Sequence, residues 1–477
     1  MTQKSIFVLR ILLVLSIFIT GATAGSVYTS DKEIPATEKD TTIATNAGEL
    51  KTQGDILVRS NGVREVFGVA GKGIKVGVIA NGVESIDISR QAGELPDVHI
   101  QSKGTGDEGT AMLEIIHDIA PDADLYFHAY GTSSDTFKTA ITDLANAGCN
   151  VICDDLYFFR QPFLQDGDVT DHIRSILKAN PHLIYVTVSG NFAPLHYQGP
   201  WKAGASYGRR QTLQDFGSGD SAVNITLLPD ERIIATLQWD DPWGHASTDY
   251  DLVLTDPRSG AVLATSNFTQ NGTIDPFEHL VYTPAGINSE KVSLQIVRNG
   301  QTTTPNTLEL FIRGVDPKGV DKSYMKDPYD SIFGHAAVEE VVTVGSVEPA
   351  SPFAISPDSS RGPVTIRYPV STKRWKPDIC APTNVNVSGA GHFPDPFPGT
   401  SAAAPHVAGV IAQLWSAFPD VPRDEFKQVI YTSADDLGAP GWDETYGYGL
   451  LNAERAYRLL FDTNKPAYNT SDTISGS

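Results

Sequence analysis

The run Gly399-Thr400-Ser401-Ala402-Ala403-Ala404-Pro405-His406-Val407-Ala408-Gly409 carries the strongest chemical signal in the chain. A serine opens a helical stretch directly after a tight glycine turn. The first turn of a helix has backbone N–H groups without intrahelical partners and carries the positive end of the macrodipole. Both favour an oxyanion forming beside Ser401, which suits a nucleophilic hydroxyl; a plain N-cap serine is the alternative. Small residues at 402–404 let such a helix bury itself against its neighbours. Asp154 and Asp155 follow the apolar run Val151-Ile152-Cys153, so one of them belongs at the carboxyl edge of a sheet; solvated loop acids are the other reading. His117 and His406 are the histidines to test as a proton acceptor. His406 comes five residues after Ser401 and points about 140° away from it round a helix. Both histidines read as structural.

The elements that must position these residues are legible in the hydrophobic pattern. Ile74–Ala80, Ala123–Phe127, Val151–Cys153 and Leu183–Val188 are short apolar strands. Helical spacing over Ala111–Ile119, Phe137–Ala147 and His172–Ala179 alternates with them. Strands and helices alternating at these lengths make a parallel sheet with helices on both faces. Ligands in such sheets sit at the carboxyl ends of the strands, so the loops starting at Asn81, Asp154 and Ser189 are expected to converge. The rhythm breaks at 205–320, where short β-type runs are punctuated by Gly, Pro, Asn and Asp, the pattern of an antiparallel β-sandwich. The α/β pattern resumes at Val341–Val344, so the sandwich reads as an insert. The catalytic fold is therefore expected over 56–204 and 321–463, ending with helices at 401–415, at 424–432 and from Asn452.

The ends and the composition narrow the setting. Lys4 and Arg10, the apolar stretch Ile11–Ile19 and the segment Gly21-Ala22-Thr23-Ala24 form a signal peptide over 1–24. Residues 25–55 read as an N-terminal arm and 464–477 as a polar tail. Five N-x-S/T sequons, at Asn224, Asn267, Asn271, Asn386 and Asn469, suit an exported chain. The net charge of -21 argues against nucleic acid and anionic membranes as partners, and no stretch after the signal peptide is long and apolar enough to span a bilayer. Cys149, Cys153 and Cys380 are too few for a disulfide framework.

The serine run resembles the serine box of subtilases, and the resemblance extends further. Ser359-Ser360-Arg361-Gly362-Pro363, Lys376-Pro377-Asp378-Ile379-Cys380-Ala381-Pro382 and Gly447-Tyr448-Gly449-Leu450-Leu451-Asn452-Ala453 are similar to other segments of that family. Val186-Thr187-Val188-Ser189-Gly190-Asn191 resembles the family's strand end whose Asn side chain donates to the oxyanion. The resemblance implies a subtilisin-like α/β fold, Ser401 as nucleophile and Asn191 as oxyanion donor. Two departures stand out. After the first strand the chain reads Val78-Ile79-Ala80-Asn81-Gly82, without the family's Asp, and Asn81 stands nearest. Where the family has His-Gly-Thr, the chain has Glu108-Gly109-Thr110. Sedolisins, acid-acting relatives of subtilisins, use Glu as the base there, but the Asp that they add four residues later is Met112 here.

A Glu base changes the electrostatics. A histidine becomes a cation on taking the serine proton and needs a carboxylate to stabilise it. A glutamate becomes neutral, and a second carboxylate beside it raises its basicity by like-charge repulsion. Unperturbed Glu is about two units less basic than His, roughly 3 kcal/mol. Asp107, Asp154 and Asp155 are the candidates to recover part of that, whereas Asn81 can orient Glu108 but not repel it. The expected activity is acid-leaning hydrolysis of peptide or protein substrates by Ser401 and Glu108. A catalytically inactive scaffold that binds peptides is the competing expectation. No cofactor is required. Asp240-Asp241 and Asp249-Tyr250-Asp251 in the insert could support a structural calcium, although the twelve-residue calcium-loop pattern is absent.

Overall fold

The computed structural model describes residues 48, 50–300, 305–320 and 328–464; the expected signal peptide and nearly all of the expected tail lie outside them. The apolar runs form a seven-stranded sheet in the order Ile379–Pro382, Val342–Val347, Ile184–Val188, Val151–Asp154, Lys75–Ala80, Asp124–Ala129, His99–Ser102. Every pairing in it is parallel. Strands such as Lys75–Ala80 are buried on both faces, which is why they read as continuous apolar runs rather than alternating ones.

Helices cover both faces. On one face, Glu108–Ile119 and Thr400–Ala417 pack together and share a core with Val76, Val78, Val151 and Cys153. On the other, Ser134–Asn146 and Asp168–Ala179 cover Ile79, Ile152 and Tyr185. The two helices of the first face touch closely at Gly409, where an added Cβ would stand 3.0 Å from Ile119 Cβ; the small residues of the serine run allow that approach. Gly399, at φ +83°, makes the turn into the Ser401 helix.

The insert consists of two antiparallel sheets, of four and six strands, over one core built from Leu237, Leu310, Leu252, Leu294 and neighbours. It begins earlier than the boundary expected at 205, because His196–Pro200 already pairs antiparallel with Thr307–Arg313. That strand, like Ala203–Gly208, is too polar and Gly-rich to stand out in the sequence. Residues 50–55, expected to belong to the arm, are built into the helical layer over the sheet. Thr52 N–H donates to Asp118 at 2.7 Å, and Gln53–Leu57 is a short helix.

Candidate active site

Successive residues of a strand point to opposite faces of its sheet. Val151 and Cys153 face the Ser401 helix, and Ile152 faces away. Asp155 inherits the first parity and Asp154 the second, and the structure divides the two acids on that basis. Asp154 Oδ1 accepts from Leu156 N at 2.9 Å, Thr187 Oγ1 at 3.0 Å and His335 Nε2 at 3.1 Å. It belongs to a buried network on the far face. Asp155 is buried, and neither of its carboxyl oxygens has a donor among the described residues.

The group facing Asp155 is another carboxyl, Glu108. Burial first, then the charge of Glu108 and the hydrogen bond with it, push Asp155 well above the usual carboxylate range. A hydrogen bond between two carboxyls needs a proton on one of them, and the same burial and like charge favour the neutral form of Asp155. Asp155 also stands next to the strand end where the acid is missing. Ile79 pairs with Asp154, so one residue further on Ala80 lies beside Asp155, on the same face.

Glu108 is the first residue of its helix. Asn81 Oδ1 accepts from the Glu108 N–H at 3.2 Å. Asn81 therefore holds the backbone of Glu108 rather than its carboxyl. Asp107 accepts from Ser85 N at 2.6 Å and Thr110 Oγ1 at 3.3 Å, which commits it to the loop and the helix start. Met112, in the place of the sedolisin Asp, is a fully buried core side chain.

On the serine side, Ser401 is buried near the start of Thr400–Ala417. Asn191 Oδ1 accepts from Thr400 N at 2.9 Å and from Thr400 Oγ1 at 3.0 Å. With its oxygen anchored, the amide has only its Nδ2 hydrogens to offer a ligand. Tyr157 links the two halves of the site. Its hydroxyl lies 3.1 Å from Thr400 Oγ1. Burial raises its ionisation above the ordinary tyrosine range, the bond to Thr400 opposes that, and the charges of Asp155, Glu108 and Asp154 add to it. Tyr157 and Thr400 were not singled out in the sequence, although Thr400 lies within the serine run and Tyr157 follows Asp155 by two residues. No hydrogen bond joins Ser401 Oγ to Glu108 among the described residues.

The remaining sequence candidates lie elsewhere. His406 is buried, its Nδ1 is 2.7 Å from Ala402 O and its Nε2 is 3.5 Å from Thr52 Oγ1. The carbonyl can only accept, so Nδ1 carries the proton and Nε2 accepts from Thr52. Burial lowers its pKa to about 4, against the opposing pull of Ala402 O and Asp55. His117 is buried in the last turn of the helix Glu108–Ile119. The acids of the insert are committed to protein donors. Asp241 Oδ2 accepts from Ser247 N and Thr248 N, Asp240 and Asp241 accept from Asn306, and Asp251 accepts from Asn299. Among the described residues no three His, Cys, Asp or Glu side chains come together as a metal site, so the calcium expectation finds no set of ligands here.

The subtilase family model matches residues 280–449, a stretch that contains Ser401 but neither Glu108 nor Asn191. Fervidolysin of Fervidobacterium pennivorans is 38% identical over 73 residues, 15% of this chain and 10% of the relative. An extracellular serine protease of Serratia marcescens is 48% identical over 58 residues, 12% of this chain and 6% of the relative. The chain thus spans a tenth or less of the length of these curated relatives. Among solved structures, the CspB protease of Clostridium perfringens superposes with a TM-score of 0.59 at 15% identity, covering 86% of this chain and 98% of that one. That likeness shows the fold: a subtilisin-like parallel sheet.

Proposed function

We propose that this chain, whose residues 280–449 match the subtilase family model and whose sheet has the subtilisin-like arrangement, is an exported serine peptidase that uses a carboxylate in place of histidine. The observation that carries this reading is the meeting of the half-buried Glu108 with the buried Asp155, both of which act on Tyr157, whose hydroxyl reaches Thr400 next to Ser401. A buried carboxyl such as Asp155, set against a second carboxyl and without a donor among the described residues, is costly to keep without a use. In the proposed reaction, Ser401 Oγ attacks a peptide carbonyl while the Glu108 carboxylate takes its proton. Asn191 Nδ2 and the Ser401 N–H receive the oxyanion. Glu108 then returns the proton to the departing amine, leaving an acyl group on Ser401, and a water activated by the same carboxylate removes it.

Asp155 acts on Glu108. Its retained proton is shared with the Glu108 carboxylate and orients it, and a neighbour that resists ionisation keeps the pair singly charged. Asp155, beside the end of Lys75–Ala80, thereby stands in for the acid absent after that strand. Base and hydroxyl are not hydrogen-bonded in the free site, and such contacts commonly tighten only with substrate bound. The chemistry favours acid pH, where the pair keeps its proton; a rate optimum above pH 8 is incompatible with it. The export reading rests on the N-terminal segment, and the extracellular relative of Serratia marcescens agrees with it.

The second reading, a scaffold that binds peptides without cleaving them, is favoured by Asn81 and Met112, where the resembled families carry acids, and by the missing bond between Glu108 and Ser401. Labelling with a fluorophosphonate at pH 4 and pH 7 separates the two. The peptidase labels at Ser401, and Glu108→Gln suppresses the reaction. Absence of labelling at both pH values leaves only the scaffold.

A further inference from the structure

We infer that the cleft selects glycine or alanine over larger residues at the substrate position whose carbonyl Ser401 attacks, because Tyr157 and Phe192 crowd the ground where that side chain lies. The inference rests on the peptidase reading and names its substrate class.

Sheet order sets the direction of the substrate. Glu108 is tied to Asn81, just past the end of Lys75–Ala80, and Asn191 follows Ile184–Val188. Val151–Asp154 lies between those two strands. Base and oxyanion donor therefore stand on opposite sides of one strand end. The base must hand its proton to the leaving nitrogen, so the leaving half of the substrate lies toward Glu108. The acyl half lies over the ends of Val151–Asp154 and Ile184–Val188, which continue into Tyr157 and Phe192.

These two side chains close that ground. The Tyr157 hydroxyl reaches Thr400 Oγ1 at 3.1 Å, beside the nucleophile. Its ring meets Phe192 edge-on, with centroids 4.8 Å apart and planes at 79°. Phe192 is backed in turn by Phe159 at 5.1 Å and by Phe311 of the insert at 5.8 Å. The chain passes closely behind as well: Gly190 has φ +113°, and a Cβ there would stand 3.2 Å from Phe192 Cδ2. Swinging either ring aside would break the bond to Thr400 or the packing of the aromatic cluster. A hydrogen or a methyl group at the acyl residue needs no such movement.

The test is a set of chromogenic peptide amides that differ only in that residue, being Gly, Ala, Leu or Phe. The wild-type kcat/KM for Ala should exceed that for Phe by about 10-fold or more, the discrimination available to a shaped apolar wall. Tyr157→Gly should narrow or reverse the ratio, with rates normalised to the fraction of chains whose Ser401 takes a fluorophosphonate. Phe192→Ala opens the same wall if the first variant does not fold. Tyr157→Phe keeps the ring and should keep the preference for Ala. A labelled wild type that favours Leu or Phe, or an opened variant with an unchanged ratio, overturns the inference alone. A wild type that takes no probe and cleaves none of the four amides overturns the peptidase reading, and this inference with it.

Discussion

Replacing Asn191 isolates the oxyanion step. Thr400 N and Thr400 Oγ1 hold the Asn191 oxygen at 2.9 and 3.0 Å, so its Nδ2 is fixed before substrate arrives. Removing one preorganised donor of this kind costs about 10²–10³-fold in kcat, roughly 2.7–4 kcal/mol. With two anchors, the expectation for Asn191→Ala is the upper part of that range. The loss should fall on kcat and leave KM little changed, because the oxyanion exists only in the transition state. Alanine also strands the buried Thr400 N–H, at a further cost of about 1–3 kcal/mol in stability, so the variant should melt lower. Asn191→Asp keeps an acceptor for Thr400 but replaces the donor with a charge facing the developing oxyanion. It should be slower than Asn191→Ala at neutral pH and recover as acid restores a hydroxyl donor. The assay is the pH dependence of kcat and KM on an alanyl peptide amide, with active sites counted by fluorophosphonate. A loss below about 3-fold for Asn191→Ala, or an Asn191→Asp profile parallel to wild type, would refute the role of the amide.

Glu108→Gln should lower kcat by about 10²–10⁴-fold without lowering the melting temperature at pH 7, because the charge facing buried Asp155 is removed; an active variant would exclude Glu108 as the base. Asp118 is pushed up to about 8 by burial, partly offset by the Thr52 N–H bond, with the charges of Asp55, Glu94 and Glu114 adding. A folded-state value raised above the unfolded one means stability that is present below about pH 4 and lost as pH rises through about 8. Asp118→Asn should therefore gain up to roughly 4 kcal/mol at pH 7 and nothing at pH 4, read from melting curves at the two pH values. His406, with its pKa lowered to about 4 by burial, has the opposite sign: its contribution is present above about 6.5 and is lost as pH falls through 4. His406→Gln should flatten that acid limb and still label at Ser401; loss of labelling in a folded variant would make His406 more than structural.

The sequence by itself determined the parallel sheet, because strands buried on both faces are written as unbroken apolar runs, and Val151–Cys153 or Leu183–Val188 can be little else. It also determined the start of the Ser401 helix, since a glycine turn, a hydroxyl and a run of small residues are local requirements that leave a local trace. The insert showed its apolar strands and hid its polar ones: His196–Pro200 is held by pairing to Thr307–Arg313, a contact that no short window of sequence contains. The choice between Asp154 and Asp155 was almost legible, since strand parity separates neighbours once it is known which face the serine helix covers. Only the tertiary structure supplied that face. It alone set Asp155 against Glu108, put Tyr157 beside Thr400, and turned Asn81 to the Glu108 backbone rather than to its carboxyl. Each of these meetings joins residues from separate strand ends, so its energy depends on distances that the order of residues along the chain does not encode.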